Sequence, residues 1–181
     1  MMKKKILVYT GIILIFWACG SSKNQPTEAQ LQALNELMDS RQFTIESDWA
    51  YPQATRAMQQ IANSGLLMPG NTAGNISLVG NTNFLKIKGD SIFSYLPYFG
   101  ERQMQVDYGG RDNAIEFKGL MEDLTIEKTK NNGYKFVFNA KSGRENFRVY
   151  LTITPGLKSD LLLNSGSRFP IGYSGNAKNT E

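Results

Sequence analysis

The chain has 181 residues, 41% of them hydrophobic, with 20 Lys and Arg against 16 Asp and Glu, one Cys and no His. The lack of His excludes Ser-His-Asp and Cys-His catalysis, haem held by His and most zinc sites. A metal would need oxygen ligands alone, and no calcium loop of spaced Asp, Asn, Gly and Glu occurs, so neither a metal nor another cofactor is expected.

The N-terminus reads as an export signal. Lys3, Lys4 and Lys5 start it, Ile6 to Trp17 is an apolar run broken by Thr10 and Gly11, and Ala18 places a small residue before Cys19. A membrane span needs about 20 apolar residues, and this run is shorter. The segment resembles a lipobox, with Phe16 where that pattern prefers Leu. Residues 1–18 are thus expected to be a signal peptide and Cys19 a lipidation site, and residues 19–26 a tether. Removing the three lysines leaves 17 basic against 16 acidic groups, so lipid rather than charge is expected to hold the chain to a membrane, and no nucleic-acid partner is expected. Gly20, where an inner-membrane retention signal carries Asp, points to the outer membrane. The absence of acidic residues after it points to the periplasmic leaflet.

Residues 27–181 are expected to form one β-rich domain with an N-terminal helix. Thr27 and Gln30 have the spacing of a capping box, and Leu31, Leu34, Leu37 and Met38 recur at helical intervals. From Phe43 the period becomes two: Phe43, Ile45, Ser47 and Trp49 share a face. Arg56 to Gly65 is ambiguous, with Met58, Ile61 and Ala62 compatible with a helical turn. Gly65 to Thr72 has the glycine spacing of a P-loop, but Asn71 replaces the phosphate-binding lysine, so a plain loop is expected. Lys88-Gly89-Asp90 marks a turn. Asp90-Ser91-Ile92 resembles an O-glycosylation signal, making Ser91 a candidate site, although turn chemistry explains the same residues.

Tyr95 to Gly100 reads Y-L-P-Y-F-G, three aromatics around a proline that confines the segment to a strand end or sheet edge. It is either an aromatic platform for a ligand or a plug closing one end of the core. Alternation in extended chain places Tyr98 and Phe99 on opposite faces; Phe99 is expected inside and Tyr98 outside, where its hydroxyl meets water or a partner.

Further on, Asp107, Asp112 and Glu116 could meet across a Gly109-Gly110 turn. Glu122 and Asp123 form the other candidate carboxylate pair, but neighbours on a strand diverge unless a bulge intervenes. Leu124 and Ile126, then Tyr134, Phe136 and Phe138, alternate around the Asn132-Gly133 hairpin signal. The clearest strand is Phe147 to Thr154. Turns at Ser142-Gly143, Pro155-Gly156 and Ser165-Gly166-Ser167 complete about nine strands. The fold class is mainly β, an antiparallel meander closing into a sandwich or a curled, barrel-like sheet.

Leu96 to Gly100 (L-P-Y-F-G), the Gly89-Asp90 turn before it, and the Gly-Gly turn and Ile115-x-Phe117 after it resemble domain of unknown function 4251, a family of bacterial lipoproteins. Arg168, Ile171, Tyr173 and Gly175 resemble the family's C-terminal pattern, with Gly172 between Ile171 and Tyr173. The resemblance spans roughly Phe43 to Gly175. It implies fold and location but no mechanism, since the family has no assigned activity. The expectation is a non-enzymatic envelope lipoprotein binding a partner or ligand, an envelope protein or glycan, through Tyr95, Tyr98 and Phe99 with Arg168 and Tyr173. The alternatives are a carboxylate-dependent hydrolase of envelope glycans and a purely structural protein.

Overall fold

Thr27 starts the first helix, α1 (Glu28–Ser40), as its spacing predicts. In the computed structural model, which describes residues 25–103 and 114–180, Thr27 Oγ1 accepts from the Gln30 amide and Gln30 Oε1 accepts from the Thr27 amide, at 3.3 and 3.0 Å. Such a box stabilises a helix start by about 1 kcal/mol. Arg41 ends α1 in the left-handed conformation, with φ 48°. Leu34 and Leu37 are fully buried, each contributing roughly 1.5–3 kcal/mol of apolar burial.

Ten strands follow among the described residues: β1 (Gln42–Pro52), β2 (Ile76–Ser77), β3 (Phe84–Lys88), β4 (Ser91–Tyr95), β5 (Lys118–Leu120), β6 (Glu122–Lys128), β7 (Tyr134–Ser142), β8 (Glu145–Ile153), β9 (Lys158–Ser165) and β10 (Ile171–Asn179). All pair antiparallel, in the order β5-β4-β3-β1-β10-β9-β8-β7-β6, with β2 added beside β1. The sheet curls until it is nearly a barrel. Phe43 of β1 meets Phe136 of β7 edge to face at 5.9 Å, and Phe117 meets Phe147 of β8 at 5.6 Å, so strands far apart in the sheet pack their inner faces together. Phe147, Val149, Leu151 and Ile153 are all buried, while Arg148, Tyr150 and Thr152 stay partly exposed. That is the alternation the sequence predicts for β8.

β5 and β6 are the two edges of the sheet, and they are consecutive in the chain, joined by Met121 alone. The gap between them is therefore bridged by the covalent backbone, helped by the Met121 amide donating to the Asp90 carbonyl at 2.9 Å. No β5–β6 ladder exists among the described residues.

Two departures from plain alternation matter. In β1 the register against β10 shifts between Ser47 and Trp49, leaving Asp48 as the extra residue of a bulge. Ser47 is buried, but Trp49 loses the shared face and Ala50 and Pro52 turn inward instead. Gly175 on β10 lies against this bulge, where a Cβ would collide with the Glu46 and Ser47 backbone. On the other side of β1 the ladder to β3 ends at Ile45 and Leu85, and the Asn83 side chain continues it: its Oδ1 accepts from the Ser47 amide at 2.8 Å and its Nδ2 donates to the Ser47 carbonyl at 3.0 Å. Arg56–Asn63 forms a second helix, α2, capped by Thr55, and settles the ambiguous segment. Gly65 to Thr72 follows it as a loop, with Asn71 Oδ1 accepting from the Ser77 amide.

The two ends of the barrel differ. α1 covers one of them, where the Gly89 amide donates to the Arg41 carbonyl at 2.8 Å and Tyr134 Oη donates to Asn35 at 3.2 Å. The opposite end gathers the β7–β8 and β9–β10 turns and the Tyr95–Gly100 segment.

Candidate functional site

The sequence-predicted surface lies at that opposite end, and most of it is interior. Tyr98 is 6% exposed, Arg168 5% and Tyr173 2%. Tyr95, Phe99 and Gly100 are intermediate. The expectation for Tyr98 and Phe99 is thus reversed: Tyr98 is the buried residue and Phe99 packs half-buried against the core. The chain itself satisfies the Tyr98 hydroxyl, which lies 2.9 Å from the Glu101 carbonyl and 3.1 Å from the Phe169 carbonyl. A buried polar tip needs a partner, but the partner need not be water. Tyr173 Oη likewise donates to the Pro97 carbonyl at 2.9 Å.

Arg168 anchors this end. Its guanidinium donates through Nε and Nη2 to the two oxygens of Glu145, at 2.7 and 2.8 Å, and stacks 5.0 Å from the Tyr98 ring centre. Ser167 Oγ donates to Glu145 at 2.8 Å, and Arg102 approaches it at 3.9 Å. Burial alone would raise the Glu145 pKa; the bonds from Arg168 and Ser167, with the charges of Arg168 and Arg102, outweigh it and hold the carboxyl below its ordinary value. Burial pushes the hydroxyls of Tyr98 and Tyr173 above the usual tyrosine range, while Arg168 pulls both back. The result is a packed ionic and aromatic plug.

The carboxylate candidates do not build a cleft. A bulge does fall at Asp123, whose φ is 52°, between Glu122 and Thr125. It leaves both acids exposed against β7, with Glu122 on Lys141 Nζ and Asp123 on Asn139 Nδ2, each at 2.8 Å. Asp107 and Asp112 lie outside the described residues, and Glu116 is exposed. Among the described residues no cluster of three or more acidic or Cys side chains could hold a metal. Ser91 opens β4 beside the Gly89-Asp90 turn and is partly exposed. Cys19 also lies outside the described residues.

A different place has the shape of a site. Beneath the C-terminal end of α1, at the β5–β6 gap, is a half-open cavity of about 220 Å³. Met38 and Asp39 of α1, Phe43 of β1 and Ile87 of β3 form one wall; Met121, Leu124 and Ile126 of the β6 edge and Tyr134 and Phe136 of β7 form the other. At its mouth Arg41 reaches Asp90 at 3.4 Å across the Gly89 turn, with both groups well exposed. Sequence reasoning missed it because its lining comes from four separate stretches of the chain, 38–43, 87–89, 121–126 and 134–136. One signal was present: Leu124 and Ile126 alternate as though facing a core, yet Ile126 remains 38% exposed.

The model of the family described as Domain of unknown function (DUF4251) matches residues 25–177. The chain belongs to that family. None of the curated proteins matches it. The crystal structure of a DUF4251 family protein from Bacteroides eggerthii is similar in fold, with a TM-score of 0.53 at 13% identity over 83% of this chain and 87% of that one. Part of the pattern that carries the DUF4251 resemblance converges in three dimensions, while its Gly89-Asp90 turn lies at the α1 end. Leu96, Tyr98, Arg168, Ile171 and Tyr173 are all buried at the plugged end. A Cβ on Gly100 would lie 2.9 Å from Tyr98 Oη, which two carbonyls already fix. The L-P-Y-F-G and C-terminal parts of the pattern in this DUF4251 chain therefore build a structural closure.

Proposed function

We propose that the protein is a non-enzymatic binding lipoprotein of the cell envelope, anchored through Cys19 to the periplasmic leaflet of the outer membrane, and that its ligand site is the cavity under α1. The observation that carries the binding role is that cavity: about 220 Å³ of preformed apolar space, open to solvent. Concave apolar sites rimmed by a few polar groups are where small molecules bind. The engagement of the acids elsewhere supports a non-enzymatic reading, since Glu145 is bound by Arg168 and Ser167, and Glu122 and Asp123 face Lys141 and Asn139 away from the cavity. The anchor rests on the tripartite N-terminus and the single Cys.

Native mass spectrometry of protein purified from envelopes tests the reading. The expected result is an additional bound mass that Ile126→Trp, at the cavity mouth, removes. A mass carried equally by that variant would place the ligand elsewhere.

A further inference from the structure

We propose that the cavity under α1 takes the end of a single apolar chain whose head is not anionic. This rests on the binding role proposed above and adds the ligand's chemistry. The walls that meet the ligand are aliphatic, thioether and aromatic: Met38, Ile87, Met121, Leu124 and Phe136. Apolar cavities of roughly 150 Å³ already accept a small hydrocarbon ring. At about 220 Å³ this one holds somewhat more, enough for the end of one chain but not for two side by side. Its half-open form leaves the rest of the ligand, including any head, at the mouth.

The mouth decides the head. Asp39 and Arg41 stand there, and Arg41 is paired to Asp90 behind it. The C-terminal end of α1 points at the same place, and its last turn holds no basic residue, so its partial negative charge adds to the carboxylates. An anionic head therefore meets no surplus positive charge, whereas a hydroxylated neutral head can use the same polar groups as hydrogen-bond partners.

Calorimetric titration of the purified full chain with alkyl maltosides and alkyl sulfates of graded length, below their micelle concentrations, tests this. Affinity for the maltosides should rise about fourfold per added methylene, then level off once the cavity is full. The sulfate of equal length should bind several-fold more weakly. Ile126→Trp should weaken maltoside binding at least tenfold with an unchanged melting curve. Met38→Trp, on the opposite wall, should do the same if Ile126→Trp fails to fold. Affinity independent of chain length, sulfates binding as tightly as maltosides, or both tryptophan variants binding like wild type would each overturn the proposal. If neither series binds, but an envelope-derived mass is still lost in Ile126→Trp, the ligand class is wrong and the binding role stands. If no mass is carried either, both fall.

Discussion

Replacing Glu145 by Gln keeps the shape of the side chain and removes the charge that compensates Arg168. Arg168 is 5% exposed, and both of its bonds to Glu145 are short, at 2.7 and 2.8 Å. In the variant one oxygen still accepts a guanidinium bond, but the new amide opposes the other donor. The Ser167 hydroxyl, 2.8 Å from the same carboxylate, also loses its charged acceptor. Breaking a buried ion pair from one side costs about 3–5 kcal/mol. The Glu145 side chain keeps 21% of its exposure, which favours the low end, about 3 kcal/mol. At about 2–4 °C per kcal/mol for a domain of this size, the melting temperature should fall by roughly 6–12 °C. Arg168→Met combined with Glu145→Gln should recover part of that loss, because the uncompensated charge is gone. The pH dependence has a definite sign. Glu145 is held below its unfolded value, so its contribution is present above about pH 4.3 and is lost as the pH falls through the folded pKa. The stability gap between wild type and Glu145→Gln should therefore narrow in acid. A single variant that melts with wild type at neutral pH would refute the view of this end as an ionic plug.

In thermal melts Tyr98→Ala should be strongly destabilised, by about 3–5 kcal/mol, and Phe99→Ala clearly less; the opposite ranking would contradict the packing described. Gly175→Ala should cost several kcal/mol because its Cβ would enter the β1 bulge, while Gly119→Ala, where a Cβ meets nothing within 4 Å, should melt near wild type. Membrane fractionation of Cys19→Ala should show a soluble or uncleaved chain; co-fractionation with the outer membrane like wild type would disprove the anchor. Intact mass of the mature protein reads out Ser91: polypeptide plus lipid is expected if Asp90-Ser91 serves only as a turn, and a residual glycan mass lost in Ser91→Ala would establish the modification.

Much of the fold was legible because it is local. Thr27 and Gln30 declare the start of α1, Asn132 adopts φ 59° at the predicted hairpin, and β8 alternates without a fault. Legibility fails where a bulge changes the phase. Asp48 moves Trp49 off the face that Phe43 and Ile45 share, and Asp123 brings Glu122 and its neighbour onto β7 together. It fails again at Tyr98, whose burial depends on carbonyls of Glu101 and Phe169 that no spacing rule connects to it. The cavity was hidden for the same reason, because Met38 and Ile126 meet only through the closure of the sheet.

The backbone link at Met121 has a topological consequence. Two sheet edges that could drift apart are tied together with no intervening loop, so they face each other at a high effective concentration without a hydrogen-bonded ladder. The barrel behaves as a hoop fastened by a clasp. One peptide cleavage beside Met121 would open the hoop into a strip with two free ends, and the cavity wall would be divided between them.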